Sequence, residues 1–305
     1  MSSNTISNTC ANCGKGKESS INLKSCAACK MVKYCSRECQ IAHRPQHKKE
    51  CKKRAKELHD ELLFKQPPQL DEDCPICFLR MPSINLVHMY MACCGKVICS
   101  GCVHANRRLT AVKSGEGASL CPFCRAPTPT SEKKVIELYK KHMELNDIVA
   151  IRSMGCFYAN GQYGLPQSQA KALELWHRAG ELGDAISYYN VGCAYAKGNG
   201  LERDKKKAIH YFELAAMRGS VRARNNLGVF EFQSDNFDRA LKHYMIAIKG
   251  GNKKSLESIK QLYKVGHATK DEYTNALRAY QTYLDEVKSQ QRDEAAAYEP
   301  KWTYY

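Results

Sequence analysis

CPIC at residues 74–77, CCGKVICSGC at 93–102 and CPFCR at 121–125 place eight cysteines between Cys74 and Arg125. Cys74 with Cys77, Cys99 with Cys102 and Cys121 with Cys124 are C-x-x-C pairs, and Cys93 with Cys94 makes a fourth pair. A C-x-x-C turn sets two sulfurs on one ion, and zinc takes four soft or borderline ligands in a tetrahedron. Eight ligands therefore imply two ions. The thiols are too dense and too regular for a core, in which cysteine serves as one small apolar residue among others.

This stretch resembles a RING finger, the zinc module of many ubiquitin ligases. The resemblance implies interleaved ligand pairs: Cys74, Cys77, Cys99 and Cys102 on one zinc, Cys93, Cys94, Cys121 and Cys124 on the other. The family's second pair is usually Cys-x-His. Here Lys96 stands near the expected His, so the resemblance is to an all-cysteine variant with Cys93 as ligand. A RING carries no nucleophile; it holds a ubiquitin-charged E2 enzyme in a reactive arrangement, which is catalysis by positioning. Ile76 and Pro122 match the family's apolar E2 contacts. Arg125 matches the basic residue that bridges E2 and ubiquitin, a role suited to its rigid fork of donors. Asn106, four residues after Cys102, stands where a large apolar residue is usual, with Leu109 one turn further on.

Upstream, Cys10, Cys13, Cys26, Cys29, Cys35, Cys39, His47 and Cys51 form a second set of eight ligand-type residues, again enough for two ions. The spacing of His47 and Cys51 puts both on one helix face. With the run YCSRECQ at 34–40, the segment resembles a MYND finger. That resemblance implies one zinc on Cys10, Cys13, Cys35 and Cys39 and another on Cys26, Cys29, His47 and Cys51, leaving His43 as a surface residue. It also implies a groove for proline-containing peptides in which Ser36 and Gln40 take part; Arg44 stands where the family has a Trp. The run KKECKKRAK at 48–56 reads either as a solvated helix face, the favoured reading, or as a nuclear import signal or nucleic-acid patch. QPPQLDED at 66–73 and APTPTSE at 126–132 read as linkers. The loop at 113–119 reads as flexible, and Ser131 or Thr130 as a helix cap.

Beyond residue 132 the cysteine pairs end and a helical period begins. Met154-Gly155, Val191-Gly192 and Leu227-Gly228 recur, as do Gly183, Gly219 and Gly251 and the aromatics Trp176, Phe212 and Tyr244. Each aromatic is preceded by Ala172, Ala208 or Ala240 and followed by Ala179, Ala215 or Ala247. Small residues at repeated positions let helix backbones approach, and the aromatics fill the seam; such pairs stack into a solenoid. The pattern resembles Sel1-like repeats, relatives of the tetratricopeptide class. It gives three repeats between Ile148 and Gly251, a degenerate fourth from Ser255 and a capping helix from Asp271 to Arg292. Cys156 and Cys193 read as small core residues. The resemblance implies recruitment of protein substrates or partners on the concave face. For the tail YEPKWTYY the pattern offers no account.

The chain has 305 residues, a formal charge of +16 and seventeen cysteines. Counting fifteen ligand thiols as thiolates around four zinc ions brings the charge to about +9. Nucleic acid is therefore not expected from bulk charge. No stretch reaches the roughly 18 apolar residues of a membrane helix, and the N-terminus has no apolar run of a signal peptide. Repeated C-x-x-C spacing then points to metal in a reducing compartment, cytoplasmic or nuclear.

The expected architecture is a disordered N-terminus (1–9), a MYND-type finger with its helix (10–65), a linker (66–73), a RING-type finger (74–125) and a second linker (126–131). An all-α Sel1/TPR-like solenoid (132–293) and a tail (294–305) follow, so small zinc-stapled α+β domains precede an array of helices. Four Zn2+ are expected. The expected function is a RING-type E3 ubiquitin ligase partnered with an E2, the alternative being a non-catalytic zinc-finger adaptor.

Overall fold

The computed structural model describes residues 8–16, 22–66, 73–83, 88–114 and 120–303. Most of the expected N-terminal disorder, of the linker at 66–73 and of the loop at 113–119 lies outside them. The chain divides into two compact units, Met1–Lys65 and Gln66–Tyr305.

In the first unit, β1 (Lys24–Ser25) and β2 (Lys33–Tyr34) pair antiparallel, and α1 (Arg37–Leu63) follows. The Ser36 hydroxyl caps α1 by accepting the Cys39 N–H at 3.3 Å. Among the described residues its buried cluster is Cys10, Cys26, Cys29 and Tyr34, with Leu63 buried near the end of α1. That is too little apolar surface to hold a fold of this size by burial alone, so the ligands must do the holding.

The second unit opens with the antiparallel hairpin β3 (His88–Met91) and β4 (Lys96–Cys99), then α2 (Ser100–Ser114). Helices α3 (Glu132–Glu144), α4 (Ile148–Asn160), α5 (Gln169–Glu181), α6 (Ala185–Lys197), α7 (Lys205–Met217), α8 (Val221–Phe232), α9 (Phe237–Lys249) and α10 (Lys253–Lys264) follow. Ser131 caps α3. Asp147, Ser168, Asp184, Asp204, Ser220 and Asn252 cap later helices, each accepting backbone N–H groups that the first turn leaves without partners.

Helices α4 and α5, α6 and α7, and α8 and α9 form the three repeats. Their seam is the one the spacing implies. A Cβ on Gly155 would lie 2.6 Å from the Trp176 ring, one on Gly192 2.7 Å from Phe212, and one on Gly228 would overlap Tyr244. The six flanking alanines are fully buried. The shortening of the last interval lies in the connecting loop: 161–168 and 198–204 in the first two repeats, 233–236 in the third. Arg224, fully buried on α8, occupies the position of Ile151 and Tyr188 in the preceding repeats. Its guanidinium nitrogens have no hydrogen-bond partner among the described residues, and burial lowers its pKa to about 10.

After α10 the single expected helix is two, α11 (Lys270–Val287) and α12 (Gln290–Tyr298), with Ser289 capping the second. A short 3₁₀ turn, Pro300–Trp302, ends the described chain. This terminal segment returns to the cysteine-rich module. Ala295 and Trp302 share a buried cluster with Cys74, Met81, Ile98, Cys99, Cys102 and Val103.

Candidate metal centres

Four groups of ligand atoms converge in the structure: Cys10, Cys13, Cys35 and Cys39; Cys26, Cys29, His47 and Cys51; Cys74, Cys77, Cys99 and Cys102; and Cys93, Cys94, Cys121 and Cys124. Within each group all ligand atoms lie within 4.8 Å of one another. The nearest sulfur pairs are 3.5 Å apart in the first group and 3.7–3.8 Å in the others, for instance Cys74–Cys102 and Cys94–Cys121. A tetrahedron with metal–sulfur bonds of about 2.3 Å has an edge of about 3.8 Å. A disulfide would need about 2.05 Å, and all seventeen cysteines are free. The donor sets, three of four thiols and one of three thiols with an imidazole, fit zinc. His47 turns Nε2 toward Cys29 Sγ at 3.2 Å. His43 stands aside: its ring stacks on His47 at 5.6 Å and its Nδ1 pairs with the Tyr34 hydroxyl at 3.1 Å.

Backbone geometry explains how the thiols converge. In four C-x-x-C turns the residue after the second cysteine is left-handed: Gly14 (φ 73), Lys30 (φ 57), Phe78 (φ 56) and Arg125 (φ 61). Each sends its N–H back to the first cysteine's carbonyl, at 2.9, 3.0, 2.8 and 3.1 Å. Three of those four residues are not glycine, so this conformation is held by the surrounding turn and is not encoded by residue type. Cys99 and Cys102 differ. They form no such turn: Cys99 ends β4 and Cys102 lies in the first turn of α2. Cys93 and Cys94 sit in the β3–β4 turn, where the N–H groups of Cys94 and Gly95 both bond the Met91 carbonyl.

The same amides bias the thiols toward ionisation. Burial opposes ionisation of Cys10, but backbone N–H groups of Cys13, Cys35 and Asn12 outweigh it and bring the thiol down to about 6. Cys26 falls to about 6 against burial, through the backbone N–H of Cys29 and the His47 ring. Cys121 falls to about 7 against burial, through backbone N–H groups of Cys124 and Phe123. Their neighbours rise: hydrogen bonding to Cys13 and Cys39 pushes Cys35 up to about 12, and burial does the same to Cys51. In the remaining group, hydrogen bonds from Cys102 and Cys99 lower Cys74, so each group has one thiol biased toward the thiolate, and the other protons must leave when a metal binds.

The second cysteine-rich module is gripped from two sides. On one side the Tyr90 hydroxyl donates to Asp147 Oδ2 at 2.8 Å, and Ala92 is buried with Ile136, Tyr139, Ala150 and Met154 of α3 and α4. On the other, the fully buried Arg292 guanidinium donates to the carbonyls of Arg80 (2.8 Å), Val287 (2.6 Å) and Leu79 (3.2 Å). Arg80 pairs with Glu286, and Tyr283 accepts the Ser83 N–H at 3.2 Å through its hydroxyl. Arg292 and Trp302 carry no metal-ligand or helical-stripe signal, so sequence reasoning passes over both. A cavity of about 660 Å³ separates the module from the repeats, lined among others by Val97, Asn106, Pro122, Ile186, Asn190 and Arg222.

Of the remaining expected contact residues, Ile76 is 39% exposed, Arg125 is exposed and Pro122 half-buried. The Asn106 amide donates to the Leu120 carbonyl at 2.8 Å. Ser36 and Gln40 are exposed on adjacent turns at the start of α1. No helix among the described residues is long and apolar enough to cross a membrane.

Comparison with known proteins divides along these lines. Residues 10–51 match the MYND finger family, and residues 148–184 and 185–220 each match the Sel1 repeat. A curated relative, SET domain and MYND-type zinc finger protein 6 of Schizosaccharomyces pombe, is 42% identical over 52 residues, 17% of this chain. The match spans 10% of that protein's length. Among solved structures, a Sel1 repeat protein from Oxalobacter formigenes aligns with a TM-score of 0.44 at 20% identity, over 55% of this chain and 70% of that one. A protective antigen from uropathogenic Escherichia coli strains, displaying an SLR fold, aligns with a TM-score of 0.33 at 18% identity, over 66% of this chain and 48% of that one. Residues 10–51 are thus a MYND-type zinc finger and residues 148–220 are Sel1 repeats, with a further pair of metal-binding clusters between them.

Proposed function

We propose that the protein is a zinc-stapled adaptor that brings protein partners together, with the Sel1 repeats as the recruiting surface. The observation that carries this reading is the cavity of about 660 Å³ between the second zinc module and the repeats, with Ile186, Asn190 and Arg222 on its repeat side. Repeat arrays present extended surfaces of this kind to protein segments. Here the opposite wall is a rigid metal-bound module, so a bound segment would lie against both. A peptide-array screen with the zinc-loaded chain, followed by cross-linking of the bound peptides, tests it. Cross-links to α6 and α8, lost on Ile186→Arg, support the reading; cross-links confined to the outer helices refute it.

A second reading is favoured by a separate observation. Ile76 and Arg125 are exposed beside the knuckles of the second module, where the resemblance to RING fingers sets the contacts of a ubiquitin-charged E2. In this reading the module is a RING-type E3 ubiquitin ligase and the repeats select its substrate. Asn106 weighs against it, because its amide is tied to the Leu120 carbonyl where the resemblance has a large apolar contact. Incubation with E1, a panel of E2 enzymes, ubiquitin and ATP decides between the two. The adaptor reading expects no chains from folded, zinc-loaded protein. The ligase reading expects chains that disappear on Ile76→Ala with Arg125→Ala, at unchanged zinc content.

A further inference from the structure

Helix α1 carries a feature that neither metal group uses. Arg44, Lys48, Lys52 and Lys56 recur every four residues along one side, with Lys49 and Lys53 on the adjoining row. All six are exposed, and none has a carboxylate partner among the described residues. Of the five acidic residues of α1, Glu50, Glu57 and Glu61 lie away from this row, while Asp60 follows Lys56 one turn further along it and Glu38 precedes it. Two of the first three are held by Arg54, at 3.1 Å to Glu57 and 2.9 Å to Glu61. Over the stretch Arg44–Lys56 the cations are thus gathered on one side, and two of the helix's five acids are paired with the one cation of that stretch outside the basic face.

Like charges at this spacing repel and destabilise an isolated helix, so an anion laid along the row stabilises the folded state. The choice of anion follows from what accompanies the cations. Between Arg44 and Lys56 there is no Leu, Ile, Val, Met, Phe, Tyr or Trp; the exposed apolar residues on this side, Ile41 and Leu62, stand singly beyond the two ends of the row. A protein partner needs buried apolar or aromatic anchors, and a membrane-surface helix needs an apolar face. A phosphate backbone needs neither, only cations along its track. The row from Arg44 to Lys56 is about 18 Å long at 1.5 Å per residue, roughly half a turn of duplex. Across Met1–Lys65, fourteen Lys and Arg stand against six Asp and Glu, so the unit stays cationic after the thiolates are counted. Bulk charge for the whole chain argues against nucleic acid; its concentration on one uncovered helix face argues for it.

We propose that this face of α1 binds the phosphate backbone of duplex nucleic acid without reading its sequence. The test is fluorescence anisotropy of the full zinc-loaded chain with labelled 20-bp DNA duplexes of unrelated sequence, between 50 and 200 mM salt. The expected result is equal affinity across sequences, with log K falling against log salt at a slope of about −4 to −5 for about five phosphate contacts. Replacing Lys48, Lys49, Lys52 and Lys53 together by Gln should weaken binding at least about tenfold at 100 mM salt and remove about 3 to 4 from the slope. Zinc content reports whether that variant is folded. Arg54→Gln, on the opposite side of the same helix, should leave the slope unchanged. The proposal is overturned by no binding at 50 mM salt, by binding that the four-Gln variant retains, or by an equal loss in Arg54→Gln. Tighter binding of polyglutamate than of duplex would overturn it as well, assigning the face to an acidic protein.

Discussion

The two zinc regions share a ligand count and differ in everything that surrounds it. Around residues 10–51 the buried cluster is Cys10, Cys26, Cys29 and Tyr34. Around Cys74, Cys99 and Cys102, by contrast, Met81, Ile98, Val103, Ala295 and Trp302 are buried as well. The first finger is organised by its metal groups and a single capped helix. The second is a wall of a larger body, joined to α3 and α4 through its hairpin and to α11 and α12 through Arg292 and Tyr283. A metal ion in the first region creates the fold; in the second it adds to one that the repeats and the terminal helix already support.

Metal removal should therefore have the largest and most unequal effect. A structural zinc is worth about 10–16 kcal/mol of folding free energy at neutral pH. With a chelator, the amides of residues 24–34 should lose all protection from hydrogen exchange while those of α7 to α10 keep theirs. Equal loss in both would break the comparison. Acid gives the same contrast with a defined sign. Without metal, Cys10 and Cys26, lowered to about 6, are ionised above that pH and protonated below it, so protons compete with zinc for these thiols more strongly as pH falls. Metal content measured from pH 7 to 5 should then drop as thiolates are lost, and the first unit should unfold with it.

Next in size are the residues that tie the second module to the chain's end. Trp302→Ala should destabilise the second unit by about 3–5 kcal/mol through its cavity, read by urea denaturation. Arg292→Met leaves the carbonyls of Leu79 and Arg80 without their charged donor and should cost about 3 kcal/mol. Either change should speed zinc release from the second module and leave the first unaltered.

Smaller effects test the repeats as the shared support. Arg224 is a buried cation without a hydrogen-bond partner, so Arg224→Ile, restoring the residue type of position 151, should stabilise by about 1–4 kcal/mol. The sign follows from its lowered pKa of about 10. Its charged form is disfavoured in the fold at neutral pH, and that penalty fades only as pH rises through 10. Gly228→Ala drives a methyl into the buried Tyr244 ring and should cost about 1–3 kcal/mol. Both are measured by the denaturant midpoint.

Much of this was open to reading in the residues alone. Ligand chemistry needs particular side chains at short separations, so four metal groups could be counted from the Cys and His spacing. The repeats were equally legible, because Gly155, Gly192 and Gly228 must face Trp176, Phe212 and Tyr244 at every turn of the array. Which C-x-x-C pairs share an ion came from family resemblance, since spacing within a pair says nothing about its partner. The left-handed residues Lys30, Phe78 and Arg125 were invisible, because their conformation is imposed by the turn.

Local chemistry, then, belongs to the sequence: thiol pairs, helix caps such as Ser36 and Asp147, and the small-against-aromatic seam are each written within a few residues or one repeat. Only the tertiary structure decided where the chain's end goes. Trp302 and Arg292 act on Leu79, Arg80 and Cys74 more than two hundred residues away, and no periodicity or spacing encodes a contact made once. The same holds for α1, whose charges could be counted in the sequence but whose uncovered basic side required the folded helix, with Arg54 turned to the acids behind it.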